Sequence, residues 1–68
     1  MNTPLRVGDR VHNPAQGTGY VTGFLFPEGQ GEWVEVAFDH NRPATINIER
    51  ADLRRVLGTR DGALVLGR

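Results

Sequence analysis

The chain has 68 residues, 7.5 kDa, and eight arginines that balance eight acidic residues to zero net charge. That length allows one small domain, which hides only about 60% of the surface its unfolded chain exposes, and leaves no room for a buried cofactor pocket or a second domain. The absence of cysteine excludes a disulfide framework and a cysteine-rich zinc site. With only two histidines, a structural metal would need carboxylates to complete four ligands, so neither metal nor cofactor is expected.

Leu, Ile, Val and Phe make up 18 of the 68 residues, enough for a chain of this kind to fold. The neutral balance argues against a protein that lives on phosphate contacts, which usually carries a basic excess, and favours a protein partner over nonspecific coating of nucleic acid. Lys and Ser are absent and every basic residue is Arg, which compositional bias toward GC-rich codons explains most simply. The apolar runs are too short to span a bilayer, and Met1-Asn2-Thr3-Pro4 lacks the basic and apolar regions of a signal peptide, so a soluble cytoplasmic protein with no membrane partner is expected.

Gly and Pro cut the chain into pieces of strand length, and no amphipathic helix of twelve residues fits between them. The first piece runs from Leu5 to His12 and is followed by a turn-rich loop, Asn13-Pro14-Ala15-Gln16-Gly17. A second strand is expected from Thr18 to Phe26, a hairpin connection at Pro27-Glu28-Gly29-Gln30, and a third strand from Glu32 to Asp39. In the third, Val34, Val36 and Phe38 alternate with Trp33, Glu35 and Ala37. After a turn at His40-Asn41-Arg42-Pro43, Thr45 to Ile48 makes a fourth strand with Ile46 and Ile48 inward. Glu49 to Asp52 suits one helical turn, and Leu53 to Val56 closes the sheet as a fifth strand. The expected fold is all-β, a five-stranded barrel over residues 5–56. Residues 57–68 form a tail: Gly58 to Gly62 reads as flexible, while Ala63-Leu64-Val65-Leu66 is apolar enough to add a strand or cover an open barrel face.

If the Pro27 to Gln30 connection closes the hairpin, Val21 faces Val36 and Gly23 faces Val34 on the inner side. On the outer side Tyr20 lies opposite Ala37, Thr22 opposite Glu35, and Phe24 opposite Trp33, with Phe26 extending the row. Three aromatics on one outward stripe of so small a protein mark a binding surface. The competing expectation is that the tail or the N-terminal arm packs over Phe24 and Phe26 as a secondary core.

The run Gly8-Asp9-Arg10-Val11-His12-Asn13-Pro14-Ala15-Gln16-Gly17-Thr18-Gly19-Tyr20-Val21-Thr22-Gly23 resembles the Tudor-like (SH3-like) small barrel found at the C-terminus of UvrD-type helicases, in CarD-type transcription regulators and in transcription-repair coupling factors. Val34-Glu35-Val36-Ala37-Phe38-Asp39 matches the strand that follows in that pattern, and Ile46, Ile48, Leu53 and Val56 fall where its last strands place apolar residues, so the likeness covers about Val7 to Val56. Asn13 interrupts the commoner His-Pro pair, and the hairpin tip differs. The residues of the motif are structural: Gly8 and Asp9 set a tight strand start, and Gly17 and Gly19 permit backbone that a side chain would block.

The resemblance implies a module of transcription or DNA repair that docks onto RNA polymerase or another protein by adding an exposed strand edge to the partner's sheet. The matching strand here is Thr45 to Ile48, with Asn47 outward where relatives present a basic group, and with Arg42 and Arg50 near enough to replace that charge. Pro43, lacking a donor, limits how far pairing extends. The candidate partner-binding residues are therefore Tyr20, Phe24, Trp33, Arg42, Thr45, Asn47 and Arg50.

His12 and His40 both adjoin turns, with no Cys or Ser to be activated, so no catalytic residue is assigned and an enzyme is not expected. Gly17-Thr18-Gly19 opens a strand and lacks the later Gly and Lys of a phosphate loop. Arg54-Arg55, on opposite sides of a strand, reads as a solvated pair. Two further readings stay open. One is a nucleic-acid-binding barrel that stacks bases on Tyr20, Phe24 and Trp33 with Arg10, Arg42, Arg54 or Arg55 on phosphates. The other is an aromatic cage for a cationic side chain.

Overall fold

A computed structural model describes residues 4–25 and 32–68. The expected Pro27 to Gln30 connection and Phe26 lie outside the described residues. Within them the chain is all-β: a curled antiparallel sheet, a half-barrel, of six strands. The strands are β1 (Arg10–Asn13), β2 (Gly17–Leu25), β3 (Trp33–Phe38), β4 (Ile46–Glu49), β5 (Arg54–Arg60) and β6 (Ala63–Leu66), with one 3₁₀ turn, Arg50–Asp52, between β4 and β5. Their order across the sheet is β4-β3-β2-β1-β5-β6, so β4 and β6 are its two edges.

The core is small and comes from strict alternation. Val34, Val36 and Phe38 of β3, Val11 of β1 and Val21 of β2 are almost wholly buried, and Leu5 and Leu53 close the two ends. Phe24, Ile46 and Ile48 pack against this cluster while remaining partly exposed. Leu5 lies before β1, held by a turn in which the Arg6 amide donates to the Asp9 carboxylate at 2.9 Å and the Asp9 amide donates to the Arg6 carbonyl at 3.0 Å. Gly8 sits in that turn with φ of +96°, a conformation side chains rarely adopt, and its amide reaches the Val21 carbonyl at 2.8 Å. The expected role of Gly8 and Asp9 at the strand start is thus realised, with β1 beginning at Arg10 rather than at Leu5.

The most consequential difference from the expected register lies in β2. Val21 pairs with Val36 and Tyr20 with Ala37 as anticipated, but Thr22 is an extra residue, and beyond it Gly23 pairs with Glu35, Phe24 with Val34 and Leu25 with Trp33. One added residue shifts the side-chain parity. Phe24 therefore turns to the core side with Val34, and Leu25, 43% exposed, takes the outer place opposite Trp33. The Thr22 hydroxyl bridges to the partner strand, 2.8 Å from the Glu35 carboxylate and 3.2 Å from the Glu35 carbonyl.

The second difference is the C-terminal stretch. The expected flexible stretch Gly58 to Gly62 and the possible strand Ala63 to Leu66 form a hairpin: β5 continues through Arg60 and pairs with β6 across Asp61-Gly62, both at positive φ (52° and 81°). Two consecutive positive φ values are what a two-residue hairpin turn with the right strand twist requires. The sheet thus has six strands, the sixth the one left open in the sequence reading. β6 carries no charge, and Leu57, Leu64 and Val65 of this hairpin are 62%, 42% and 38% exposed.

Asn13, an interruption in the expected motif, is the buried polar residue that locks two loops together. Its side-chain amide donates to the Asp52 carbonyl at 3.0 Å, and its carbonyl accepts from the Ala15 and Gln16 amides at 2.9 and 3.0 Å. The Asn13→Ala variant orphans two turn amides and one carbonyl. It is expected to lose about 2–3 kcal/mol in urea-induced unfolding, while Asn13→Asp, which keeps the turn acceptor but faces the Asp52 carbonyl with a second oxygen, fails to restore it.

Candidate functional site

The outer face of β2, β3 and β4 holds the aromatic candidates that alternation leaves outside. Trp33, Glu35 and Ala37 of β3 are half-buried between the buried core residues of that strand. Across the ladders, Trp33 is flanked by Leu25 and Glu49, Glu35 by Gly23 and Asn47, and Ala37 by Tyr20. Tyr20 and Trp33 therefore share this face, and Phe24 does not. The expected row of three aromatics is corrected to two, with Leu25 in the third place.

Tyr20 is 41% exposed, but one side of its ring is taken: the Arg10 guanidinium stands 4.4 Å from the ring centroid. Arg10 is held there by Asp39, to whose carboxylate it donates two parallel hydrogen bonds, one of them at 2.7 Å. Register explains the geometry, since Arg10 pairs with Tyr20 across β1 and β2, and Asp39 follows Phe38 at the end of β3, its amide bonded to the Thr18 carbonyl. The hydrogen bond from Arg10, helped by the charges of Arg10, Arg42 and His40, holds the Asp39 carboxyl below its ordinary range, and the same hydrogen bond, with the charge of Asp39, holds the Arg10 guanidinium above its own.

A group with a lowered folded pKa adds stability above its unfolded value and loses it as pH falls through the folded one. Thermal stability is accordingly expected to decline as pH drops below about 4, the ordinary carboxylate value, and Asp39→Asn should flatten that part of the profile. A melting series from pH 7 to pH 2.5 on the two proteins checks this, and identical acid limbs would remove Asp39 from the account.

Among the described residues, the guanidiniums of Arg10, Arg50, Arg54 and Arg55 are engaged within the chain. Besides Arg10, Arg55 donates to the Asp9 carboxylate at 2.9 Å, Arg54 to the carbonyls of Gly67 and Leu66 at 3.0 and 3.4 Å, and Arg50 to the carbonyls of Leu53 and Arg68. The expected solvated pair Arg54-Arg55 is corrected: the two do point to opposite sides, and each ties β5 to a neighbour. Arg50, expected near the docking strand, instead straps the 3₁₀ turn to the chain end, beside an open hollow of about 470 Å³ lined also by Leu53, Arg54 and Leu66.

Among the described residues β4 pairs only with β3. Asn47 is exposed on its outer face, while Ile46 and Ile48 reach the core side and stay half-buried; Thr45 and Arg42 are exposed just before the strand. Of the candidates at this edge, Asn47 lies on β4 and Thr45 immediately precedes it, while Arg50 is turned away; Glu49, opposite Trp33, joins Asn47 on the outer face. Its signal was the two-residue alternation continuing one step beyond Ile48.

The histidines lie apart in role. His12 Nδ1 is 3.4 Å from the Thr18 hydroxyl, whereas His40 stacks on Phe38 with ring centroids 6.3 Å apart and its Nε2 lies 3.2 Å from the Gln16 amide oxygen. Among the described residues no three His, Cys, Asp or Glu gather as a metal site would need, and no helix is long and apolar enough to cross a membrane. No protein family, curated protein or solved structure matches this chain.

Proposed function

We propose that the chain is a noncatalytic protein-interaction module that docks by strand addition at β4, with Trp33 as the aromatic anchor beside the docking line. The observation that carries this reading is a sheet edge, Ile46–Glu49, with no second strand beside it among the described residues, one strand away from a half-exposed Trp33. Main-chain hydrogen bonds at such an edge supply affinity, and alternate side chains supply selectivity. The Tudor-like barrel suggested by the Gly8 to Gly23 motif extends the reading to RNA polymerase, or a repair factor bound to it, as the partner class, in the cytoplasm.

The arginine pairing supports a protein partner over the nucleic-acid alternative. Phosphate binding draws on unengaged guanidiniums, and base stacking draws on open ring faces; Arg10, Arg54 and Arg55 are bonded internally, and Tyr20 is capped by Arg10.

Trp33→Ala is the direct test. The variant should melt within a few degrees of the parent and lose binding to purified RNA polymerase in a labelled-chain titration. A collapse of its melting transition would make Trp33 a core residue. Tight binding of a fluorescent oligonucleotide that falls steeply between 50 and 200 mM salt, on the order of 10³-fold or more, would replace this function with the nucleic-acid one.

A further inference from the structure

Resting on the docking role of β4, we infer the chemistry of the incoming segment: an extended strand in which apolar residues alternate with arginine or lysine. The ladder register decides which backbone groups the edge offers. Arg50 donates its amide to the Glu32 carbonyl at 3.0 Å, in the same register as the β3–β4 ladder. Bonded and non-bonded pairs alternate in an antiparallel ladder. Ile48 with Val34 and Ile46 with Val36 are therefore bonded pairs, and the amides and carbonyls of Asn47 and Glu49 point away from β3 to the open edge.

Side-chain parity then assigns each position of the guest. Residues of the guest opposite Ile46 and Ile48 share the core-side face, where these two isoleucines are half-buried against the core cluster at the sheet edge. Apolar side chains there complete the cover. Residues opposite Asn47 and Glu49 share the outer face, where Glu49 lies next to Trp33 and Asn47 next to Glu35.

Near this edge the outer face is acidic. Arg50, the nearest cation in sequence, is turned to the carbonyls of Leu53 and Arg68, Arg10 is paired with Asp39 three strands from β4, and the charge of Arg42, before the strand, acts on Asp39. A guest carboxylate or phosphate would meet Glu49 and Glu35. A guest guanidinium or ammonium pairs with Glu49 and, spanning the two strand spacings of about 9–10 Å, lays its head over the Trp33 ring.

The test uses the full chain, labelled with ¹⁵N, and two eight-residue peptides, one alternating valine with arginine and one alternating valine with glutamate. The Val/Arg peptide is expected to shift the Asn47 and Glu49 amides and the Trp33 indole, and to bind at least tenfold tighter than the Val/Glu peptide. Glu49→Gln should reduce that preference severalfold without moving the melting temperature. Equal affinity of both peptides at the β4 amides would overturn the basic-partner inference and leave edge docking standing. Shifts confined to the β6 edge, Ala63 to Leu66, or none with either peptide, would overturn the β4 docking role and the inference with it.

Discussion

Gly19→Ala is expected to destroy most of the stability of this domain, although the substitution adds a single methyl group. A Cβ on Gly19 would stand 2.6 Å from the Ala37 carbonyl oxygen, 2.8 Å from the Phe38 Cα and 2.9 Å from a Val36 methyl. The first two belong to the backbone of β3, so no rotamer change relieves them. Gly19 pairs with Phe38, and the next rung is the bond from the Asp39 amide to the Thr18 carbonyl at 2.9 Å. Opening the contact therefore pulls the β2–β3 ladder apart where it carries the core. Overpacking of a well-filled site costs about 1–3 kcal/mol and more when only backbone can yield; a chain of this size holds on the order of 3–10 kcal/mol in all. Urea unfolding checks it against Gly23→Ala, whose Cβ would lie at an ordinary 3.5 Å from the Glu35 carboxylate and should shift the midpoint little. Equal losses at the two sites would remove close strand approach as the reason for Gly19.

The same strand shows what the amino-acid pattern reveals and where it misleads. Alternation in Trp33–Phe38 and the placement of Val11 and Val21 were readable, because a two-sided strand must send its apolar set to one face, and these residues do form the core. An unbroken period of two sends Phe24 outward, and the structure turns it to the core side. Thr22-Gly23 interrupts the period, and a glycine inside a strand is itself a bulge signal. The β5–β6 hairpin was legible in Asp61-Gly62, a dipeptide suited to two successive positive φ values, but the neighbouring Gly58 suggested flexibility instead; it sits at a second register shift, between Val56 and Gly58. Asn13 had no local signal. Its importance depends on the Asp52 carbonyl, 39 positions away, which only the folded chain brings within reach. At the candidate site, Trp33, Tyr20 and Asn47 were placed by parity, while the capture of Arg50 by two carbonyls depends on the path of the C-terminal hairpin.

Phe38→Ala should abolish cooperative unfolding near room temperature, and the reason is the scarcity of partners to share the loss. Phe38 is 0% exposed and is the largest wholly buried side chain, in a cluster whose other members are Leu5, Val11, Val21, Val34, Val36 and Leu53. Truncating a buried phenylalanine removes its transfer free energy and leaves a cavity, together about 3–5 kcal/mol. Collapse cannot refill the space cheaply, because Gly19 across the ladder has no side chain to advance and β3 is paired on both sides. β3 also carries β4, so loss of this ring removes the docking edge as well as the core. Binding should then disappear in parallel with the melting transition in Phe38→Ala, whereas in Trp33→Ala it disappears with the transition intact. Circular-dichroism melts and polymerase binding measured on both variants separate the cases: a Phe38→Ala protein that still melts cooperatively within about 1 kcal/mol of the parent would mean that the core does not depend on this ring.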